Sequence, residues 1–145
     1  TTAQALGLRV VYAAAPFEED AITRLLGRID ILVLNEVEAR QLEAATGKDI
    51  AALGVPDVVV TLGASGCKWV SNTGEKQFPA YVAEAVDTTG AGDTFTGYLV
   101  AGLDRGMDME ASIDLALKAG AMMVMRRGTA DVIPDLKEIQ DRYGL

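Results

Sequence analysis

Residues 31–62 read ILVLNEVEARQLEAATGKDIAALGVPDVVVTL. Two apolar runs stand in this stretch, Ile31–Leu34 and Val58–Leu62, each too short for a buried helix and rich in residues that suit a pleated surface. Between them Glu36–Thr46 has helical composition, with Val37 and Leu42 expected to face inward and Gly47 placed to end the helix. A strand, a helix and a second strand in that order predict a parallel pair with a right-handed crossover. In an open sheet of this kind a ligand sits at the carboxyl ends of the strands.

The same alternation extends upstream. Leu8–Ala13 reads as another buried strand, Pro16 stops it, and Ile22, Leu25, Leu26 and Ile29 recur at helical spacing on the way to Ile31. Thr1–Leu6 resembles the last turns of a helix whose start is missing, closed by Gly7, so the chain is expected to be part of a longer protein. Three parallel strands are also few for an alternating fold. Downstream the pattern changes. Cys67–Ser71 and Lys76–Pro79 flank the turn-forming Asn72, Thr73 and Gly74, which predicts an antiparallel hairpin with Cys67 and Trp69 on one face. Two helices are expected next: Ala91 to about Arg105, closed by Gly106, and Met109 to about Arg126. The second has Asp108 as its N-cap and Ile113, Leu117, Ala121 and Val124 on one face. A short helix over Asp135–Tyr143 follows Pro134. The fold class is therefore α/β with a mainly parallel sheet.

Composition narrows the function. The 145 residues are half hydrophobic, as in one globular domain, and 13 Lys plus Arg against 21 Asp plus Glu give a net charge of −8. That balance argues against a nucleic-acid partner and against an anionic membrane surface. No apolar run approaches the roughly 20 residues of a membrane span, and Thr1–Leu8, with neither a basic start nor a long apolar stretch, is not expected to act as a signal peptide. Without histidine there is no Ser-His-Asp or Cys-His catalysis and no imidazole metal site, so acid-base work falls to carboxylates, Lys or Tyr. The single cysteine, Cys67, allows no intrachain disulfide or thiolate zinc cluster, which fits a reducing, cytoplasmic compartment. The methionines Met107, Met109, Met122, Met123 and Met125 suit adaptable core packing.

The most unusual segment is Asp87-Thr88-Thr89-Gly90-Ala91-Gly92-Asp93, small residues at a turn that opens a helix. Unpaired N–H groups at a helix start carry partial positive charge, and the absence of side chains lets an anion approach them. Asp93, beside that cradle, can accept a proton from a hydroxyl attacking a bound phosphoryl group. It can equally be a simple helix cap, with the glycines there only for the turn. Asn35 and Glu38 follow the strand at 31–34, where an amide can meet phosphate oxygens and a carboxylate can hold Mg²⁺ through water. Their spacing also fits an ordinary capping box. Thr61-Leu62-Gly63-Ala64-Ser65-Gly66 adds a glycine-bearing loop after the next strand. A dehydrogenase of the Rossmann type wants G-x-G-x-x-G after the first strand, and Tyr12–Phe17 offers no such loop.

These loops together resemble the ribokinase family of carbohydrate kinases, also called PfkB-type. The resemblance runs along the whole chain and is to the C-terminal half of a ribokinase, a three-layer α/β/α fold. It rests on DTTGAGDTF at 87–95, on NxxE at 35–38, on TLGASG at 61–66, and on RRG at 126–128 followed by Pro134. It implies in-line transfer of the ATP γ-phosphoryl group to a sugar hydroxyl, with Asp93 as catalytic base and the N–H groups of Gly90, Ala91, Gly92 and Asp93 as anion hole. Asn35 and Glu38 would organise phosphate and Mg²⁺, and Thr61, Gly63, Ala64 and Gly66 would hold the nucleotide. A monovalent-cation site, activated by K⁺, would use Asp87 and Thr89 with carbonyls near Met123, Arg126 and Gly128. Arg126 and Arg127 also have a plain alternative, complementing a helix dipole at its C-terminal end.

The chain departs from the family in three respects. Gly97 is followed by Tyr98 instead of a small residue, and Val132 stands where many ribokinases have a serine at the cation site. The N-terminal half that grips the sugar, with its β-sheet lid, has no counterpart in residues 1–145. The acceptor therefore stays open among ribose, fructose, 2-keto-3-deoxygluconate and nucleosides, and a non-catalytic nucleotide-binding module or sugar sensor is the alternative of a different class. A homodimer of a full-length protein is compatible with the resemblance.

Overall fold

The computed structural model describes residues 2–144, which divide after Phe78 into two compact units. The first contains α1 (Thr2–Ala5), β1 (Val11–Ala13), α2 (Glu19–Leu25), β2 (Ile31–Asn35), α3 (Glu36–Thr46), β3 (Asp57–Thr61), β4 (Cys67–Ser71) and β5 (Gly74–Phe78). The second contains α4 (Ala91–Asp104), α5 (Met109–Val124) and α6 (Leu136–Tyr143). Thr1, read above as part of the opening helix, lies outside the described residues.

The five strands form one sheet in sequence order, with β1, β2 and β3 parallel and β4 and β5 added as an antiparallel hairpin. One face of it carries Leu32, Leu34, Val58, Val60 and Val70, packed with Ile22 of α2 and Ala39 and Leu42 of α3. Burying a side chain such as Leu42 stabilises by about 2–3 kcal/mol. Ile31, Val33 and Val59, which alternate with those residues, are buried too. Burial of both alternating sets is why β2 and β3 read as unbroken apolar runs.

Several boundaries and orientations differ from the sequence expectations, each for a local reason. Val37 is exposed while Ala39 and Leu42 are buried. Positions 37 and 42 lie five residues apart, or about 140° around a helix, so they cannot share a face, whereas 39 and 42 do. The first strand is shorter than Leu8–Ala13, with Leu8 exposed, and it starts after Val10 N–H donates to Asp30 Oδ2 (2.7 Å). The third strand runs Asp57–Thr61, because Leu62 already belongs to the turn closed by Leu62 N–H to the Gly66 carbonyl (2.8 Å). β5 begins at Gly74, two residues before the expected start; its mostly exposed GEKQF sequence has no apolar alternation to mark it. In α5 Leu117 and Val124 are only half-buried. The helix is buried along several sides at once, so a single stripe does not describe it.

The second unit is organised by its helix ends. Asp108 Oδ1 accepts from Ala111 N–H (2.8 Å), which makes it the N-cap of α5 as expected. α4 ends in paired closing bonds, Gly106 N–H to the Leu103 carbonyl (3.1 Å) and Met107 N–H to the Gly102 carbonyl (3.0 Å), with Gly106 at φ 83°. Leu115, Ala119 and Met122 of α5 pack on Ile139 of α6, joined by Tyr98, Met107, Met125 and Leu136. Asp135 and Glu138 form a reciprocal capping box at the start of α6. No helix among the described residues is long and apolar enough to cross a membrane.

Candidate active site

In the first unit the strand ladder brings the expected nucleotide residues side by side. Asn35, the last residue of β2, is the register partner of Thr61, the last residue of β3, so both stand at carboxyl ends of parallel strands. Thr61 Oγ1 donates to the Leu34 carbonyl (3.3 Å), tying the two ends together. Asn35 and Glu38 do form the capping box: Asn35 Oδ1 accepts from Glu38 N–H (2.8 Å) and Glu38 Oε2 from Asn35 N–H (2.7 Å). The box engages one oxygen of each side chain. The Asn35 amide hydrogens and Glu38 Oε1 take no part in it, so capping and ligand binding are compatible roles.

The loop after β3 needs its glycines. Gly63 at φ 57° and Gly66 at φ 93° lie in conformations that side chains rarely adopt, and between them Gly63–Ser65 makes a single tight helical turn. Gly63, Ala64 and Ser65 are exposed, whereas Gly66 is buried. The loop therefore offers backbone on its outer side, next to Asn35.

In the second unit the segment 86–93 leads into α4. Val86 and Asp87 N–H groups both donate to the Val124 carbonyl at the end of α5 (2.7 and 3.1 Å). Asp87 Oδ1 accepts from Thr89 N–H (2.9 Å). The backbone and hydroxyl of Thr89, then the Gly128 N–H and the charge of Arg127, hold the Asp87 carboxyl below its ordinary range. Gly90 is the N-cap of α4 in the left-handed conformation, φ 75°, and provides no side-chain cap. Ala91 N–H reaches the Thr88 carbonyl at 3.3 Å. The space a Cβ on Gly92 would enter is open, so an anion can approach the first turn.

Asp93 lies in this first turn and is exposed. It is not the N-cap, and no hydrogen bond or ion pair within the described residues occupies its carboxylate. A group in that position is available to accept a proton.

The candidate cation residues lie beside Asp87, with differing roles. Met123 has a buried side chain near Gly90, and its carbonyl accepts from Arg126 N–H (3.1 Å). Arg126 lies past the end of α5, and its guanidinium turns to α6: Nη2 is 2.6 Å from Glu138 Oε1, and Nη1 donates to the Val132 carbonyl (3.1 Å). Its partner is thus a carboxylate, where the sequence suggested a helix dipole. Gly128 has φ 140°, and a Cβ there would meet Val132 Cγ1 at 2.9 Å. Tyr98, the departure from small residues noted above, packs into the α4, α5 and α6 core and donates from its hydroxyl to the Pro134 carbonyl (2.5 Å). Sequence reasoning missed the Arg126–Glu138 pair, although D-x-x-E at 135–138 is a legible capping signal that points to Glu138.

Comparison with known proteins decides the family. The model of the pfkB family of carbohydrate kinases matches residues 1–136. The chain belongs to this family. A ribokinase of Staphylococcus aureus is 35% identical over 148 residues, an alignment covering 94% of this chain and 48% of the relative. The chain thus spans about half the length of the curated relatives it matches. Among solved structures, a nucleoside kinase of Burkholderia thailandensis in complex with inosine superposes with a TM-score of 0.87 at 25% identity, over 97% of this chain and 48% of that one. A protein described as E. coli ribokinase II, in complex with ATP and Mg²⁺, gives 0.81 at 29% identity, over 95% and 49%. The pfkB family fold is α/β, as the mixed sheet and its helices require.

Proposed function

We propose that this chain is the C-terminal, nucleotide-binding and catalytic portion of an ATP-dependent carbohydrate kinase, with ribose as the first acceptor to test. The observation that carries this reading is Asp93. An exposed, unpartnered carboxylate sits in the first turn of α4, whose glycine N-cap supplies no side chain to the helix-start amides.

In this reading Asp93 takes the proton of the attacking sugar hydroxyl. The N–H groups of Gly90, Gly92 and Asp93, with that of Ala91 shared with the Thr88 carbonyl, bind oxygens of the transferring phosphoryl group where negative charge accumulates. Asn35 donates from its amide to phosphate oxygens, and the backbone of Thr61, Gly63 and Ala64 lies along the nucleotide, with the buried Gly66 closing the turn that presents it. For Mg²⁺ the donor chemistry fits through water: Glu38 keeps one carboxylate oxygen outside its capping box, and no group of three or more acidic or cysteine side chains among the described residues forms a direct cage. Mg²⁺ when bound would neutralise phosphate charge. For K⁺ the donors are of the right kind, the Asp87 carboxylate with carbonyls of Thr89, Met123, Arg126 and Gly128, all hard oxygens. Val132 can add only its carbonyl, which already accepts from Arg126.

The test is ADP release from Mg²⁺-ATP by the full-length protein with ribose, deoxyribose, fructose, 2-keto-3-deoxygluconate and adenosine, in K⁺, Li⁺ or neither. Turnover of one acceptor, faster in K⁺, is expected. ATP binding without ADP release for any acceptor would favour a sensor, and equal rates in all three salts would remove the monovalent cation from the mechanism.

A further inference from the structure

Between α5 and α6 the chain makes a locked turn. Residues 126–132 are closed on themselves by three bonds: Arg126 Nη1 to the Val132 carbonyl (3.1 Å), Val132 N–H to the Thr129 carbonyl (3.2 Å) and Thr129 N–H to Asp131 Oδ1 (3.1 Å). Val132 closes over Gly128, leaving no room there for a Cβ. The other side of the guanidinium fork is fixed by Glu138 Oε1 at 2.6 Å, while Glu138 Oε2 accepts from Asp135 N–H (2.9 Å). One arginine therefore locks a turn to the cap of the following helix. A planar, five-donor group suits this task, and a lysine ammonium cannot span both acceptors in the same fixed geometry.

We infer that Arg126 is a positioning residue for the anion cradle, acting through the turn it locks. The Val124 carbonyl at the end of α5 receives the Val86 and Asp87 N–H groups, Arg126 N–H returns to the Met123 carbonyl, and Met123 Cε lies against Gly90. Asp87 in turn holds Thr89 N–H, one residue before the N-cap of α4. The register of the cradle amides and of Asp93 thus depends on the segment that the guanidinium closes. The inference rests on the kinase reading for its consequence in catalysis, and on this hydrogen-bond path alone for its consequence in dynamics.

Both consequences are measured on the full-length protein with Arg126→Gln, Arg126→Lys and, as a control for general destabilisation of the second unit, Tyr81→Phe, which removes a bond from Tyr81 to Asp114. Hydrogen exchange followed by mass spectrometry reports on the path whether or not the protein is a kinase. Arg126→Gln is expected to raise exchange by at least 10-fold at 86–93 as well as at 126–138, with 57–78 unchanged. Steady-state kinetics well below the unfolding temperature, per mole of folded protein, are expected to show kcat lowered at least 10-fold with KM for ATP within 2-fold, and partial recovery in Arg126→Lys. Exchange that increases only within 126–138 would overturn the inference, as would a kcat loss no larger than that of Tyr81→Phe. Absence of kinase activity in the wild type, with exchange at 86–93 still responding to Arg126, would instead refute the kinase reading and leave the positioning role standing.

Discussion

Gly102 of α4 and Ser112 of α5 cross so closely that a Cβ added to Gly102 would lie 2.8 Å from Ser112 Oγ and 3.2 Å from its Cα. The missing side chain sets the distance between the two helices that carry the cradle and its support. Gly97, in the same helix, has nothing within 4 Å of the corresponding position.

The two glycines should therefore respond with opposite sign to the same change. Gly102→Ala is expected to destabilise by about 1–3 kcal/mol through overpacking against the Ser112 backbone. Gly97→Ala is expected to stabilise by about 0.5–1 kcal/mol, since alanine is the better helix former and meets no obstacle. Urea unfolding midpoints of the two variants check the signs, and two losses of similar size would show that helix packing does not discriminate the sites.

Asp93→Asn should leave the unfolding temperature within a degree or two of wild type, because the carboxylate holds no bond in the fold. Its kcat for ADP release should drop by about 10²–10⁴-fold, the usual contribution of a positioned general base. Near-normal turnover would remove Asp93 from the chemistry.

Glu138 gives an acid-side prediction. Its Arg126 partner first, then the Asp135 N–H, hold its carboxyl below the ordinary value of 4.5. A group with a lowered folded pKa stabilises above its unfolded pKa and loses that contribution as pH falls through the folded value. The gap in unfolding temperature between wild type and Glu138→Gln should therefore be widest near pH 6–7 and close as pH falls below about 4. A gap that stays constant from pH 7 to pH 3 would show that the pair contributes through packing and not through charge.

Burial pushes the Cys67 thiol up to about 12, and the residue is fully enclosed at the start of β4. Because the thiolate is the reactive form, alkylation of Cys67 at pH 8 should be negligible in the folded protein and complete in 6 M guanidinium. Peptide mapping by mass spectrometry reads it directly, and rapid labelling of the native protein would mean that the hairpin opens locally.

The parts of the fold that were legible in the sequence are those where one physical demand dominated. β2 and β3 are buried on both alternating sets of residues, so nothing but apolar residues fits, and the runs at 31–34 and 58–62 announce them to within one residue. β5 was harder to place because an exposed edge strand has no such demand. Asn35, Glu38 and the two glycine loops were visible because helix starts and left-handed turns restrict residue type locally. Arg126–Glu138 was not, since a pair 12 positions apart is made by the fold and leaves no local pattern.

The pairing of Asn35 with Thr61 also says where accuracy at the proposed nucleotide site comes from. Residues 63–65 are exposed, yet the turn at 62–66 and the segment opening α3 each follow a residue held in register by the buried rungs Val33–Val59 and Leu34–Val60. A slip of one rung would displace one loop from the other by about 3.3 Å and turn every core side chain of that strand to the wrong face. Tolerance for change in the exposed turn is thus underwritten by intolerance beneath it: new residues can be tried at 64 and 65, between the two required glycines, while the ladder keeps their point of departure fixed.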